Sequence, residues 1–273
     1  MNFEHVDGYE NRKAADCLIL PFFKKGKKAV SAFNKEEIKL FVNTPIESGD
    51  FVGKIGDSLF LYPGKEKEKR ILLLGFGEEA NINEEAFRRA ISCAVKRCNE
   101  KKIEKINIVF PKLELENEDK LFNGLIQGFL LTNYSFEKFK SEKKDSLIKD
   151  VFIIGASKKY FKDIEKEKII ADGVFFARDM VNNNADLENP EEIAKKAKAL
   201  ETISTKVTVD TFNRKKIEKE GLGLVYAVSR GSVNEPTFNV IEYVGNPASK
   251  KKSVIIGKGV TYDTGGLCLK TAA

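Results

Sequence analysis

Apolar residues along the chain fall into short continuous runs separated by helical stripes. Cys17 to Leu20, Ile71 to Leu74, Ile106 to Phe110 and Val151 to Ile154 have the length and composition of buried strands. Between them the clearest helix opens at Asn83, a good N-cap followed by Glu84 and Glu85 at the positive end of the helix dipole. Its Phe87, Ala90, Ile91, Ala94, Val95 and Cys98 share one stripe, with Cys93 beside it. A second helix is predicted from about Lys120 to Leu131. Strand-helix alternation predicts an α/β fold class: an amino-terminal domain over residues 1–155 with a mainly parallel sheet and helices on both faces.

A charged helical stretch from about Asp163 to Met180 follows and reads as a connecting helix, assigned to residues 156–181. The pattern breaks at Asn182-Asn183-Asn184, and Asn189-Pro190 then opens a helix from Glu191 to Leu200, because proline suits the first helical position. Lys206 to Val209, Leu222 to Val228, Phe238 to Tyr243 and Val254 to Ile256 are predicted as strands of a second α/β domain spanning residues 182–273.

Composition narrows the function classes. A chain of 273 residues with 42% hydrophobic and 32% charged residues and a mean hydropathy of -0.32 is that of a soluble globular protein with one large or two smaller domains. Apolar runs stay well short of the ~20 residues of a membrane span, and the first residues lack the basic start and apolar middle of a secretory signal, which predicts a cytoplasmic location without membrane association. The single histidine, His5, lies in a polar amino-terminal stretch expected to fray. That argues against a Ser-His-Asp triad, a Cys-His pair and any zinc site needing two imidazoles, so a metal must be held by carboxylates, amines or thiolates. Cys17, Cys93, Cys98 and Cys268 contain no C-x-x-C pair and read as reduced and mostly buried. The net charge of +6 includes lysine clusters at Lys24 to Lys28, Lys143 to Lys144 and Lys250 to Lys252. Lysine and glutamate are interleaved, as in Glu165 to Lys168, which favours solvated helix faces over a nucleic-acid surface.

Two glycine turns follow predicted strands. Gly75-Phe76-Gly77 lacks a third glycine at dinucleotide spacing, and Glu78 and Glu79 after it would repel a pyrophosphate, so it reads as an ordinary strand-to-helix turn. Gly257-Lys258-Gly259 is not a Walker A loop, since Val260 follows where Ser or Thr is required. It continues as Val260-Thr261-Tyr262-Asp263-Thr264-Gly265-Gly266-Leu267-Cys268-Leu269-Lys270, with Lys258, Asp263 and Lys270 set among glycines. A lysine at the end of a buried strand is costly as an ammonium ion, and desolvation beside a dication can depress its pKa until the neutral amine ligates metal. The alternative on these residues alone is a glycine-rich loop in which Lys258 and Asp263 form a simple ion pair.

The segment Gly257 to Lys270 resembles the signature loop of the M17 leucyl aminopeptidases, two-metal enzymes that remove amino-terminal residues from peptides. Ala177 to Asn182, Asn189 to Glu192, Ala227 to Ser232 with Glu235-Pro236, and Ile241-Glu242-Tyr243 are similar to further segments of that family. The likeness runs from about residue 170 to the end, and the first 150 residues are compatible with the family's variable amino-terminal domain. It implies that Lys258 is a metal ligand through its neutral amine, and that Asp263 is a carboxylate shared between two metals. Lys270 would be the catalytic cation, polarising the scissile carbonyl and stabilising the oxyanion of the tetrahedral intermediate. The implied cofactors are two divalent ions, zinc or manganese, with magnesium a further candidate. The implied partners are a peptide substrate and other copies in a homo-oligomer, a hexamer in the family.

Asn183 and Asn184 stand where the family loop commonly has Thr-Pro, and Thr271 follows Lys270 where proline or alanine is frequent. The family's remaining metal-binding carboxylates and its accompanying arginine lie beyond Ala273, so residues 182–273 are expected to form an incomplete catalytic domain. The expectation is the amino-terminal portion of a leucyl aminopeptidase, inactive as this chain alone. The alternatives are a catalytically dead assembly or regulatory subunit and a nucleic-acid-binding module. For the last, dispersed lysines predict weak affinity that vanishes with modest salt. Filter binding with duplex and single-stranded oligonucleotides checks this, and nanomolar, sequence-dependent binding at physiological salt would contradict it.

Overall fold

The computed structural model describes residues 1–33, 36–64, 67–113, 117–143 and 147–261, with 36–41 as backbone only. Two compact units emerge, Met1–Arg178 and Asp179–Ala273. The first contains β1 (Asn2–Val6), β2 (Cys17–Lys25), β3 (Lys28–Ser31), α1 (Glu36–Glu47), β4 (Ser58–Leu61) and β5 (Ile71–Gly75). There follow α2 (Glu84–Glu100), β6 (Lys105–Val109), α3 (Glu118–Thr132), β7 (Asp150–Ile154) and most of α4 (Ile164–Asn182). The sheet runs β1-β7-β6-β2-β5-β4, with β3 paired to β2 alone. β1, β7, β6, β2 and β5 are mutually parallel, while β3 and β4 are antiparallel to their neighbours.

Alternation along each strand explains why both faces need cover. Ile19, Leu72, Leu74, Ile106 and Val151 point to one side, where Phe87 of α2, Phe122 and Phe129 of α3, and Ala171 of α4 complete the core. Leu18, Leu20, Phe22, Ile71 and Phe152 point to the other, against Val42 of α1 and Phe51. α2 is built as expected: Asn83 accepts a hydrogen bond from the Ala86 amide at 2.9 Å, and Phe87, Ala90, Ile91, Ala94, Val95 and Cys98 are buried.

α3 approaches α2 through glycines. A Cβ on Gly124 would lie 2.4 Å from the Glu84 carbonyl oxygen, and one on Gly128 would lie 2.7 Å from Cβ of Ile91. Above this contact, Arg88 donates to Gln127 Oε1 (2.8 Å from Nε) and Gln127 donates to Glu167 Oε2 at 2.7 Å, tying α2, α3 and α4 together. Arg178 near the other end of α4 donates to the Leu131 carbonyl at 2.8 Å and lies over the Tyr134 ring. On the opposite face of the sheet, the fully buried Glu68 accepts from Arg12 Nε at 3.0 Å and from Asn107 Nδ2 at 2.6 Å, so the buried carboxylate is paired and hydrogen-bonded.

Three expectations need correction. The amino terminus does not fray: β1 pairs with β7, and Nε2 of His5 lies 2.9 Å from the Ala156 carbonyl. Leu222 to Val228 is not a strand but contains α7 (Gly223–Ser229), since a short apolar run between glycines suits either element and periodicity alone does not decide. Val254 to Ile256 belongs to no strand, and all three side chains are exposed, because no ladder partner exists for them among the described residues.

The second unit contains α5 (Pro190–Ala199), β8 (Val207–Phe212), α6 (Arg214–Lys219), α7 and β9 (Phe238–Tyr243). β8 and β9 form an antiparallel pair from Val207↔Tyr243 to Phe212↔Phe238. No helix among the described residues is long and apolar enough to cross a membrane. Lysines and glutamates three apart pair along exposed helix faces, as in Lys168–Glu165 and Lys195–Glu192, in line with the interleaved charge of the sequence.

Packing at the glycines predicts opposite signs for one substitution. Gly124→Ala should lower stability by about 1–3 kcal/mol through overpacking against the Glu84 backbone. Gly173→Ala, in α4 with nothing within 4 Å of the new methyl, should raise it by about 0.5–1 kcal/mol. Urea unfolding followed by far-ultraviolet circular dichroism reads both, and a gain at Gly124 or a loss at Gly173 would contradict this packing.

Candidate functional site

The glycine turn of the first unit is accounted for by packing. A Cβ on Gly75 would stand 2.1 Å from the Lys54 carbonyl oxygen, and Gly77 has a φ of 81° with Ile55 against it. Phe76 from the same turn contacts Phe23 and Phe87, and Phe87 in turn meets Phe110, with ring centroids 6.4, 4.6 and 5.9 Å apart. These rings fill the carboxyl ends of β2, β5 and β6, where an open α/β sheet would otherwise leave a crevice for a nucleotide. Lys24 is paired with Glu78 at 3.0 Å and is not held free for a phosphate.

The cysteines are equally plain. Cys17 and Cys98 are fully buried, and the hydrogen bond between their thiols together with burial pushes the Cys17 thiol well up, which keeps it a poor nucleophile. Cys93 is half-buried on α2 next to Gly56, and Cys268 lies outside the described residues.

In the second unit the loop after α4 is held by a residue that the sequence pattern did not single out. Glu188 is buried, accepts from Asn183 Nδ2 at 2.6 Å and is ion-paired with Lys196 of α5. Asn184 caps its own turn through the Asp186 amide at 3.0 Å, and Asn189 caps α5 through the Glu192 amide at 3.0 Å, with Pro190 at the first helical turn as expected. Thr237, just before β9, donates to the Pro190 carbonyl at 3.0 Å. Thus two of the family-like segments, Asn189 to Glu192 and the β9 stretch containing Ile241 to Tyr243, are tied at one point. A signal for Glu188 did exist: an acidic residue next to an Asn-Pro cap, eight positions before a lysine on the coming helix.

Of the three predicted site residues only Lys258 lies within the described residues; Asp263 and Lys270 lie outside them. Lys258 is exposed in an irregular stretch beside α5, where Ile193 of that helix is 4.0 Å from a Cβ built on Gly259. Among the described residues no group of three or more His, Cys, Asp or Glu side chains converges as a metal site. The donors expected from the sequence are one amine and one carboxylate, whereas a hard dication in an oxygen-rich site takes about six ligands. Among the described residues Lys258 is the one expected donor, and it does not make a two-metal centre by itself.

Two domain models of one family match the chain: "Cytosol aminopeptidase family, N-terminal domain" over residues 19–143 and "Cytosol aminopeptidase family, catalytic domain" over residues 175–273. The probable cytosol aminopeptidase of Protochlamydia amoebophila is 40% identical over 274 residues, covering 99% of this chain and 55% of that protein. That of Chlamydia muridarum is 37% identical over 269 residues, covering 96% and 53%. The chain spans about half the length of the curated relatives it matches. Its fold is also that of a tomato leucine aminopeptidase mutant, with a TM-score of 0.79 at 20% identity over 97% of this chain and 55% of that one. A structure of the bottromycin maturation enzyme BotP in complex with Mn gives a TM-score of 0.64 at 16% identity, covering 84% and 45%.

For the first glycine turn the packing predicts a structural and not a ligand role. Gly75→Ala should lower the melting temperature of the chain by several degrees, as expected of a roughly 1–3 kcal/mol overpacking defect. Millimolar NADH or ATP should leave the wild-type melting temperature unchanged. A nucleotide-induced rise that Gly75→Ala abolishes would contradict this reading.

Proposed function

Because the chain belongs to the cytosol aminopeptidase (M17) family, we propose that it is the amino-terminal portion of a two-metal leucyl aminopeptidase that hydrolyses amino-terminal residues from peptides. The observation that carries the reading is the run Gly257 to Lys270 inside the catalytic-domain match, with an amine, a carboxylate and a second amine at Lys258, Asp263 and Lys270. The proposal extends to a cytoplasmic protein working as a homo-oligomer, a hexamer, with zinc, manganese or magnesium as the two divalent ions. The ions supply Lewis acidity at the scissile carbonyl and toward the attacking water when bound. Lys258 would offer its amine as a ligand, which requires the neutral form because only that has a lone pair to give. Asp263 would hold the ions through its carboxylate. Lys270 stays protonated and places its charge where the carbonyl oxygen becomes an oxyanion, an interaction stronger in the transition state than in the ground state. The glycines around them permit tight backbone and leave room for the substrate amine.

This division of roles predicts distinct defects. The 273-residue chain alone should show negligible chelator-sensitive hydrolysis of a leucine anilide. In a chain completed with the family's remaining half, Lys270→Ala should lower kcat by roughly 10²–10³-fold with metal content unchanged. Asp263→Ala should lose metal first and recover in part with excess metal. Lys258→Arg should also lose metal despite keeping its charge, because a guanidinium has no lone pair to give. Full metal content and activity in Lys258→Arg would return Lys258 to an ion-pair role, and robust hydrolysis by the isolated chain would show that it needs no completion.

A further inference from the structure

The amino-terminal rim of the first sheet brings two thiols together. Cys17 is the first residue of β2, and Cys98 lies in the last turn of α2. Residues 101–104 are all that separates this helix from β6, whose Ile106 stands beside Cys17 in the ladder. Asp16, next to Cys17, accepts from the amides of Glu104 and Lys105 at 3.0 and 2.9 Å, so the turn after α2 is tied to the start of β2. In the same turn the Ile103 amide donates to the Cys98 carbonyl at 3.1 Å. Held this way, the Cys17 and Cys98 side chains are fully buried and hydrogen-bonded to each other. A third group acts on the pair. Arg70, immediately before β5, has its Nε buried with no hydrogen-bond partner among the described residues. Its charge opposes the rise that the Cys98 hydrogen bond and burial impose on the Cys17 thiol. A guanidinium beside two thiols favours a thiolate. Packing alone does not call for an unpartnered guanidinium edge there, since an unsatisfied buried donor is destabilising.

We propose that Cys17 and Cys98 are a redox pair that hydrogen peroxide closes to a disulfide, fastening the start of β2 to the last turn of α2. In the closed fold both sulfurs are out of reach, and access comes from fraying of the last helical turn, a local opening far easier than global unfolding. Cys98 moves with that turn, so it is the sulfur that meets the oxidant. As a thiolate it attacks one peroxide oxygen, the O–O bond breaks, the other oxygen leaves as hydroxide and takes up a proton, and Cys98 becomes a sulfenic acid. When the turn re-forms, Cys17 attacks the Cys98 sulfur, the S–O bond breaks, and the hydroxide leaves as water with the Cys17 proton. Two thiols lose two electrons and two protons, and one peroxide is reduced to two waters. Cys17 is a weak nucleophile, and its fixed contact with Cys98 offsets this through high effective concentration. Cys93 stands on α2 against Gly56 and is not in register to replace Cys98.

The test treats the folded 273-residue chain with millimolar hydrogen peroxide, alkylates the remaining thiols after denaturation, and reads the intact mass and the peptide map. The expected product is lighter by two hydrogens, contains a peptide linking Cys17 to Cys98, and reverts with dithiothreitol. The cross-link closes a loop of roughly 80 residues, so the oxidised chain should melt several degrees higher than the reduced one. Cys17→Ala should leave Cys98 as a sulfenic acid that dimedone traps, whereas Cys98→Ala should leave Cys17 unmodified. Arg70→Gln should slow closure at least threefold. The linked peptide is read in the wild-type chain, so the pairing is decided whether or not the alanine variants fold. A disulfide to Cys93 or Cys268 instead, closure only in urea, or both thiols still alkylated after exposure to peroxide would overturn the proposal. Closure at the wild-type rate in Arg70→Gln would overturn it equally. The pair lies wholly in the first unit, so the outcome is independent of the catalytic reading.

Discussion

A parallel strand is apolar on both faces, and both faces must be removed from water at once. β2 shows how the first unit meets this demand: Leu18, Leu20 and Phe22 face Phe51 and α1, while Cys17, Ile19 and Phe23 face the core under α2 and α3. Most other features of that unit follow from it. Glycines at 124 and 128 let α3 close onto α2, the aromatic rings of Phe76, Phe87 and Phe110 fill the strand ends, and Arg12 pairs the buried carboxylate of Glu68. A layer so completely filled leaves little room for a ligand, and the glycine turn after β5 serves packing.

The second unit obeys the same constraint by leaving it open. Local structure there is well specified: caps at Asn189 and Asn213, the ladder between β8 and β9, the clamp of Glu188 on Asn183 and Lys196. Among the described residues β9 keeps exposed apolar side chains and residues 254–256 have no ladder. The chain spans about half the length of the relatives it matches.

Much of this was legible in the sequence. Continuous apolar runs at Cys17, Ile71, Ile106 and Val151 are the four central strands, and the stripe from Phe87 to Cys98 is the buried face of α2. Three strands escaped notice for physical reasons. β1 alternates polar and apolar residues at a sheet edge, β3 is a short antiparallel extension of β2, and β4 covers only four residues at the opposite edge. α1 was missed because Pro45 interrupts its pattern. Leu222 to Val228 misled because seven apolar and small residues fit a buried strand or two turns of helix equally well, and Val254 to Ile256 because strand propensity has no effect without a partner. At the candidate site, residue types and spacing left Lys258 and Asp263 open between an ion pair and a metal site, and the family resemblance proposed their roles together with that of Lys270; Glu188 acts through burial and tertiary pairing, of which the sequence shows only an acidic residue beside an Asn-Pro cap.

The central claim is that the first unit buries both faces of its sheet, whereas the described strands of the second unit leave apolar residues exposed. Native-state hydrogen exchange on the unaccompanied chain tests it most directly. Amides of β2, β5, β6 and β7 should exchange only through global unfolding of the first unit, while those of β8 and β9 should exchange through openings at least a hundredfold more frequent, on the order of 3 kcal/mol lower in free energy. Equal protection of the two sets, unchanged by dilution, would contradict it.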